Sequence, residues 1–293
     1  MTSDPTAPEA RRLGASTKPD SAGSRPAGRG TPRFDPGIPH PARVYNVWLG
    51  GKDGLPADRN ADTEVAACCP QVVAGARANR EFLARSVRYL AGDRGIRQFV
   101  DVGPGLPAPG NTHEVAQAIA PESKIVYVDN DSLVLAHARA LLTSSRQGVC
   151  EVVDADLRDP ETIVTQAART LDLSQPLAVM LVAVLHFLDD ADDPAAIVAA
   201  LAGALTPGSF VAISHLTSDF APEQVGAGVA VYNNLVPAGI TARSHAQVSA
   251  LFGGLALVPP GVVPVSEWRP DHASVRGVSA DMYAGLATTR RPR

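Results

Sequence analysis

Residues 98–113, QFVDVGPGLPAPGNTH, place an acid at the end of a short apolar run, then a glycine-rich turn, then a helix-like start. An acidic side chain delivered at a strand end can accept hydrogen bonds from a ligand. Gly103 and Gly105 let backbone approach where any Cβ would collide. Two further apolar runs follow the same plan: IVYVD closes on Asp129, and GVCEVVDAD leads into Asp156. A single such aspartate is often only a cap or a turn former. Three at successive strand ends beside a glycine loop predict one adenosine-type ligand gripped at several points, with Asp154 a solvated or turn-forming neighbour. Other chemistry has little support. GxSxG is absent, and no His/Cys/Asp group shows metal-ligand spacing. The acids Asp189, Asp190, Asp192 and Asp193 read as the start of a helix before Pro194, where negative charge suits the dipole, rather than as a cation site.

These residues need a scaffold, and the pattern supplies one. Strands are predicted near 97–102, 124–129, 148–153, 177–184 and 208–215. Helices are predicted near 112–119, 132–144, 160–170 and 193–204. Continuous apolar strands alternating with helices predict a parallel sheet covered on both faces. Helical 221–233 and 244–251, then LALV and a final MYAGLATT strand, would complete the sheet edge. Upstream, residues 40–94 read as helical. PARVYNVWLGGKDG is broken by Gly50 and Gly51, and Leu83, Val87 and Leu90 form an amphipathic stripe beside Asn79 and Arg80. Residues 1–38, rich in Pro, Gly, Ser and Thr, read as a disordered tail.

With 293 residues, 45% of them hydrophobic and 19% charged, the chain can bury a large core. A net charge of −4 argues against a general nucleic-acid binder. No apolar run reaches membrane-spanning length; PLAVMLVAVLHFL at 176–188 suits a buried strand. The cysteines, Cys68, Cys69 and Cys150, spell neither a disulfide framework nor a zinc site, which fits a reduced cytoplasmic setting.

Gly103, Gly105 and Ala108 formally satisfy the dinucleotide spacing GxGxxG/A, and Asp129 is well placed for a ribose. Pro107 and Pro109, however, occupy positions where the phosphate-binding helix would already be running. Asn111 or Thr112 looks like the N-cap, leaving a longer loop for a bulkier group. An NAD-dependent oxidoreductase is therefore the less favoured alternative. DVGPG looks like the first motif of class I methyltransferases. The ordered set RVYNVWLGGKD, ARANREFLARSVRYL, GNTHEVAQ, VYVDNDSLVLAHARALL, ADLRDPE, LVAVLHFLDD and LTPGSFVAISH resembles an actinobacterial S-adenosyl methyltransferase family, formerly a domain-of-unknown-function family. The resemblance covers about residues 40–288.

That resemblance implies a Rossmann-like class I α/β fold: a seven-stranded, mostly parallel sheet with one reversed edge strand. A tail at 1–38 would precede a methyltransferase domain at 39–293, with a helical cap or lid at 39–94 and the core at 95–293. It implies S-adenosylmethionine as cofactor. Gly103 and Gly105 would make room for the methionine portion, Asp101 would orient the loop or the amino group, and loop amides would meet the carboxylate. Asp129 would take the ribose hydroxyls, Asn130 would lie beside the adenine, and Asp156 and Leu157 would read its edge. Pro104 departs from the small or hydroxyl-bearing residue usual between the two glycines, which bears on cofactor affinity. Arg80 reads as a carboxylate partner or a surface ion pair, and His113 as a cofactor neighbour or a capping residue. Tyr45 and Trp48 would line the acceptor pocket, cover the sulfonium, or pack in the core.

The function so implied is in-line methyl transfer to a small-molecule oxygen or nitrogen. His186, after the fourth strand, is either the general base or a histidine filling an apolar turn. A cofactor-binding module without turnover is the other alternative.

Overall fold

The computed structural model describes residues 35–271 and 280–289. The tail expected at 1–38 lies outside the described residues as far as position 34. Helices α1 (Pro41–Trp48), α2 (Pro56–Cys68) and α3 (Val72–Arg88) come first, the last continued by a π turn over Tyr89–Asp93. Proline opens α1 and α2, where its missing N–H has no partner to lose. Strands and helices then alternate through β1 (Gln98–Val102), α4 (Thr112–Ile119), β2 (Lys124–Asp129), α5 (Ser132–Leu141), β3 (Val149–Asp154), α6 (Pro160–Ala167), β4 (Ala178–Val182), α7 (Pro194–Gly203) and β5 (Phe210–Leu216). The chain continues through α8 (Pro222–Leu235), α9 (His245–Ala250), β6 (Ala256–Leu257), β7 (Val263–Pro264) and β8 (Met282–Thr288).

Among the described residues these strands form an eight-stranded sheet in the order β3-β2-β1-β4-β5-β8-β6, with β7 also on β8. Strands β1 to β5 are parallel, and β8 runs antiparallel to both β5 and β6. The expected reversed strand is thus β8. It lies second from the edge rather than at it, and the two-residue β7 takes the sheet past the expected seven strands.

Successive strand side chains face opposite ways, and both faces are apolar. Val100, Val126, Val179 and Val211 pack with Ile163 of α6 and Val198 and Leu201 of α7. On the other face Phe99, Ile125, Met180 and Ala212 pack with Phe82 and Val87 of α3, Ala116 of α4 and the buried Trp268. Helices α1, α2 and α8 share a separate apolar layer built on Val44, Ala61, Val65, Tyr232 and Val236.

Candidate active site

Because β1 to β5 are parallel, their carboxyl ends share one edge, and the strand order reverses between β1 and β4, where open α/β sheets bind ligands. The glycine loop lies at this point. Gly103 and Gly105 have φ of +67° and +68°, but they are glycine for different reasons. A Cβ on Gly103 would stand 2.4 Å from Cγ2 of Val184, just past β4. A Cβ on Gly105 would fit, in ordinary van der Waals contact with Ala42 Cβ of α1 at 4.0 Å.

The loop's amides are largely committed. Gly103 N–H donates to Val128 O (2.8 Å), Ala108 N–H to Asn111 Oδ1 (3.2 Å), and Gly110 N–H to Glu114 Oε2 (2.7 Å). His113 N–H donates to the Tyr127 hydroxyl (2.9 Å), while Pro104, Pro107 and Pro109 have no N–H to offer. The expected cradle of loop amides for a carboxylate is therefore a thin one. Arg80 supplies what the loop does not. Its Nη2 donates to Ala108 O (3.0 Å) and Asn111 Oδ1 (2.6 Å), and its Nε is buried without a hydrogen-bond partner. A buried guanidinium N–H left without a partner has unmet demand for an acceptor, which a carboxylate can fill.

Asp101 is 4% exposed and accepts from the Thr112 hydroxyl at 2.6 Å. Burial pushes its carboxyl up to about 6, against the opposing pull of that hydroxyl and of the Arg80 charge. Asp129 ends β2 and accepts from Asp131 N–H at 2.9 Å. Burial raises it to about 7, although the backbone N–H groups of Asp131, Asn130 and Gly105 favour its charged form. A partly buried carboxylate held this high has unmet demand for donors, which ribose hydroxyls can fill. At the same rim Asn130 donates to Asp156 Oδ2 (3.0 Å), Asp156 Oδ1 accepts from Arg158 N–H (2.8 Å), and the Leu157 side chain is buried. The structure thus gathers Gly105, Asp129, Asn130 and Asp156 around one edge. His40 Nε2 adds a contact with Asp131 Oδ2 at 3.2 Å, tying the start of α1 to the cap of α5.

Several residues singled out from the sequence are held by hydrogen bonds within the protein. His113 is buried, its Nδ1 hydrogen-bonded with the Tyr127 hydroxyl at 2.8 Å. The Tyr45 hydroxyl donates to Ala76 O (3.1 Å) and accepts from Asn79 Nδ2 (2.9 Å). Asn79 Oδ1 in turn accepts from Ser214 Oγ (2.5 Å), which accepts from Ala183 N–H (3.0 Å). This buried chain links α1, α3, β5 and the turn after β4. The predicted strand over 177–184 stops at Val182 because Ala183 adopts φ +56°, a strained conformation that Ser214 holds.

That turn carries His186. Its ring lies 4.5 Å from Phe187 and 5.8 Å from His215, and its Nδ1 is buried without a hydrogen-bond partner. Burial first, then the neighbouring His215 and Arg243, push it down to about 3, so the ring is neutral near neutral pH. Phe187 joins Trp48 and Ile240 around the layer of Tyr232 and Val236, and Trp48 Nε1 is likewise buried without a partner. The nearby acids are committed structurally. Asp189 caps the turn over Asp190–Asp192, Asp193 caps α7, and Asp192 takes Arg158 in a fork at 2.8 and 2.9 Å. Among the described residues no group of three or more His, Cys, Asp and Glu could hold a metal ion, and no helix is long and apolar enough to cross a membrane.

A cleft of about 640 Å³ lies at the opposite edge, lined by Arg94, Arg97, Gln98, Lys124 and Phe210. Its charges are used locally, Arg97 on Glu122 at 2.8 Å and Arg94 over the Phe210 ring at 5.3 Å. It faces the amino ends of the strands, away from the acids and glycines.

Sequence reasoning missed His40, Asp131, Ser214 and Arg243. Each makes its contacts across long sequence separations or through a cap, and no local pattern marks it.

The S-adenosyl methyltransferase family model matches residues 28–290. A solved DUF574 family protein of Streptomyces avermitilis is 41% identical, with a TM-score of 0.84 over 89% of this chain and 100% of that one. A solved protein of Thermobifida fusca is 38% identical, with a TM-score of 0.79 over 87% and 96%. An O-methyltransferase family protein of Burkholderia thailandensis, 15% identical with a TM-score of 0.50 over 81% and 60%, shares the fold. No curated protein matches the chain. With the family model spanning residues 28–290 and solved relatives 41% and 38% identical over most of the chain, the chain belongs to the S-adenosyl methyltransferase family and is a methyltransferase dependent on S-adenosylmethionine.

Proposed function

We propose that the protein methylates an oxygen or nitrogen of a small molecule, with the cofactor held along the carboxyl edge of β1, β2 and β3. The observation that carries this reading is the glycine turn at the sheet's switch point, with the unpartnered Nε of Arg80 on a side chain that holds the same loop and the carboxyl of Asp129 raised by burial. Arg80 would take the methionine carboxylate, Asp129 the ribose hydroxyls, and Asn130 with Asp156 the adenine edge. When bound, the cofactor supplies an activated methyl group on a sulfonium. The protein's own contribution is then alignment and exclusion of water. Residues 39–94 would act as a cap over the donor: Ala42 of α1 lies next to Gly105, and His40 ties the same segment to Asp131.

On the acceptor side, His186 would accept a hydrogen bond from the nucleophile's O–H or N–H and orient it. The low basicity of its ring decides when it can act as a base. It cannot ionise a resting hydroxyl, but a hydroxyl oxygen that has gained a methyl group is a far stronger acid, so a neutral imidazole can take that proton as transfer completes. Trp48, Phe187 and Tyr232 offer an apolar enclosure, which suits a small acceptor. The test is incubation with S-adenosylmethionine and a panel of hydroxyl- and amine-bearing small molecules, followed by mass spectrometry. A product heavier by one methylene, lost in Arg80→Met and reduced in His186→Ala, is expected. Methylation that persists unchanged in both variants would overturn these assignments.

A further inference from the structure

Arg243 lies in the loop between α8 and α9, is 3% exposed, and spends its guanidinium on four acceptors. Nη1 donates to Leu185 O (3.3 Å) and to His215 Nε2 (2.9 Å). Nη2 donates to Leu188 O (3.0 Å) and to Asp190 Oδ1 (2.8 Å). Leu185, Leu188 and Asp190 flank His186 on the turn after β4, while His215 lies near the end of β5. The same loop grips the turn again through its backbone, since Thr241 N–H donates to His186 O at 2.8 Å.

The donors settle one tautomer. An arginine only donates, so His215 Nε2 carries no proton, and its Nδ1 must be the N–H that donates to Leu216 O at 2.7 Å. His215 is thereby locked neutral, edge-on to the His186 ring. Ser214 secures the start of the turn through Ala183 N–H, and Arg243 secures its far side.

We propose that Arg243 is a positioning residue for the acceptor site, a planar clamp that fixes the His186 turn against β5 and holds His215 in a single neutral tautomer. This rests on the reading of His186 as the residue that meets the acceptor. The groups facing His186 are His215 from β5 and Arg243 itself, with Asp190 neutralising part of the arginine's charge from the turn. A lysine cannot replace the clamp, because a point charge lacks the fork that reaches carbonyls, carboxylate and imidazole together.

The test is a pH titration of the histidine side chains by two-dimensional NMR in the full chain labelled with ¹⁵N-histidine, with His186→Gln and His215→Gln supplying assignments. S-adenosylhomocysteine binding is measured in parallel. In the wild type His215 is expected as the Nδ1–H tautomer, with His186 neutral throughout the range where the protein is folded. In Arg243→Met the His215 signals should shift from the single Nδ1–H tautomer toward a tautomer mixture. Arg243→Lys, which keeps charge and stem, should show the same loss of the single His215 tautomer and carries the test where the methionine variant does not fold. Binding of S-adenosylhomocysteine should stay within about threefold of wild type, since Arg243 lies outside the proposed cofactor edge. A single Nδ1–H tautomer of His215 retained in both variants would overturn the clamp. Failure of the wild type to bind S-adenosylhomocysteine would instead count against the cofactor reading and leave the NMR result to judge the clamp alone.

Discussion

Gly103 and Gly105 occupy equivalent left-handed conformations, yet an added Cβ is blocked at Gly103 and accommodated at Gly105. Alanine at either position pays about 1–2 kcal/mol of backbone strain. At Gly103 the added methyl also overlaps Val184, so Gly103→Ala should lose a further 1–3 kcal/mol or so of stability in denaturant titrations. Gly105→Ala has room for its methyl and should remain folded, while its affinity for S-adenosylhomocysteine falls about tenfold or more, 1.4 kcal/mol at least. Asp129 gives a second prediction. Ribose hydroxyls donate best to the ionised carboxylate, whose free form holds its proton up to about pH 7. Affinity for S-adenosylhomocysteine should therefore be flat above that value and fall by up to about tenfold per pH unit below it. Calorimetry across pH 5.5–8.5 (a span of roughly three units about the midpoint) checks this, and Asp129→Asn should flatten the Asp129 component of the profile while weakening binding at alkaline pH. A profile in the variant as steep as in the wild type would assign the dependence to Asp101 instead, whose carboxyl is also raised, to about 6.

At the scale of elements, the first helices depend on a buried ion pair. Arg43 Nε meets Asp58 Oδ2 at 2.7 Å with both side chains buried, and Asp58 also takes the N–H groups of His40 and Leu55. Arg43→Ala would leave that carboxylate without its cation. The expected cost is about 3–5 kcal/mol. Because α1 faces Gly105, cofactor affinity should fall with it; a stable variant with wild-type affinity would separate α1 from the site. The elements are also where the sequence is most legible. Alternating apolar runs reveal β1 to β5 and their helices within a few residues, because both faces of a parallel sheet must be apolar. The end of β4 is not legible, since Ala183 is an ordinary residue forced to positive φ by a serine on another strand. The acids and glycines of the proposed cofactor edge announce themselves through local spacing. For His113 the sequence shows nearness to the loop but not the Tyr127 hydroxyl that holds its ring, since that partner comes from another strand. Arg243 is silent, a lone cation in a loop whose four acceptors come from β5 and a distant turn.

At the scale of the molecule, the site works against the empty fold. Asp129 and Asp101 have folded values above the ordinary carboxyl range, so the native state binds more protons than the unfolded chain from about pH 4 upward to those values. Their contribution to stability is complete below the unfolded value and is lost as pH rises through about 6 to 7. Asp129→Asn should consequently raise the melting temperature of the ligand-free protein at pH 8, by about 2–4 °C for each kcal/mol relieved, while reducing the stabilisation that S-adenosylhomocysteine confers. A variant no more stable than wild type at pH 8 would contradict the burial argument. The central claim is that the carboxyl edge, with Asp129 at its centre, holds S-adenosylmethionine. Titration calorimetry of the full chain with S-adenosylmethionine, S-adenosylhomocysteine and NADH, repeated on Asp129→Ala, tests it most directly. Micromolar binding of the adenosyl ligands to the wild type, lost in the variant and absent for NADH, is the predicted result; adenosyl affinity unchanged by the substitution, or binding of NADH alone, would contradict it.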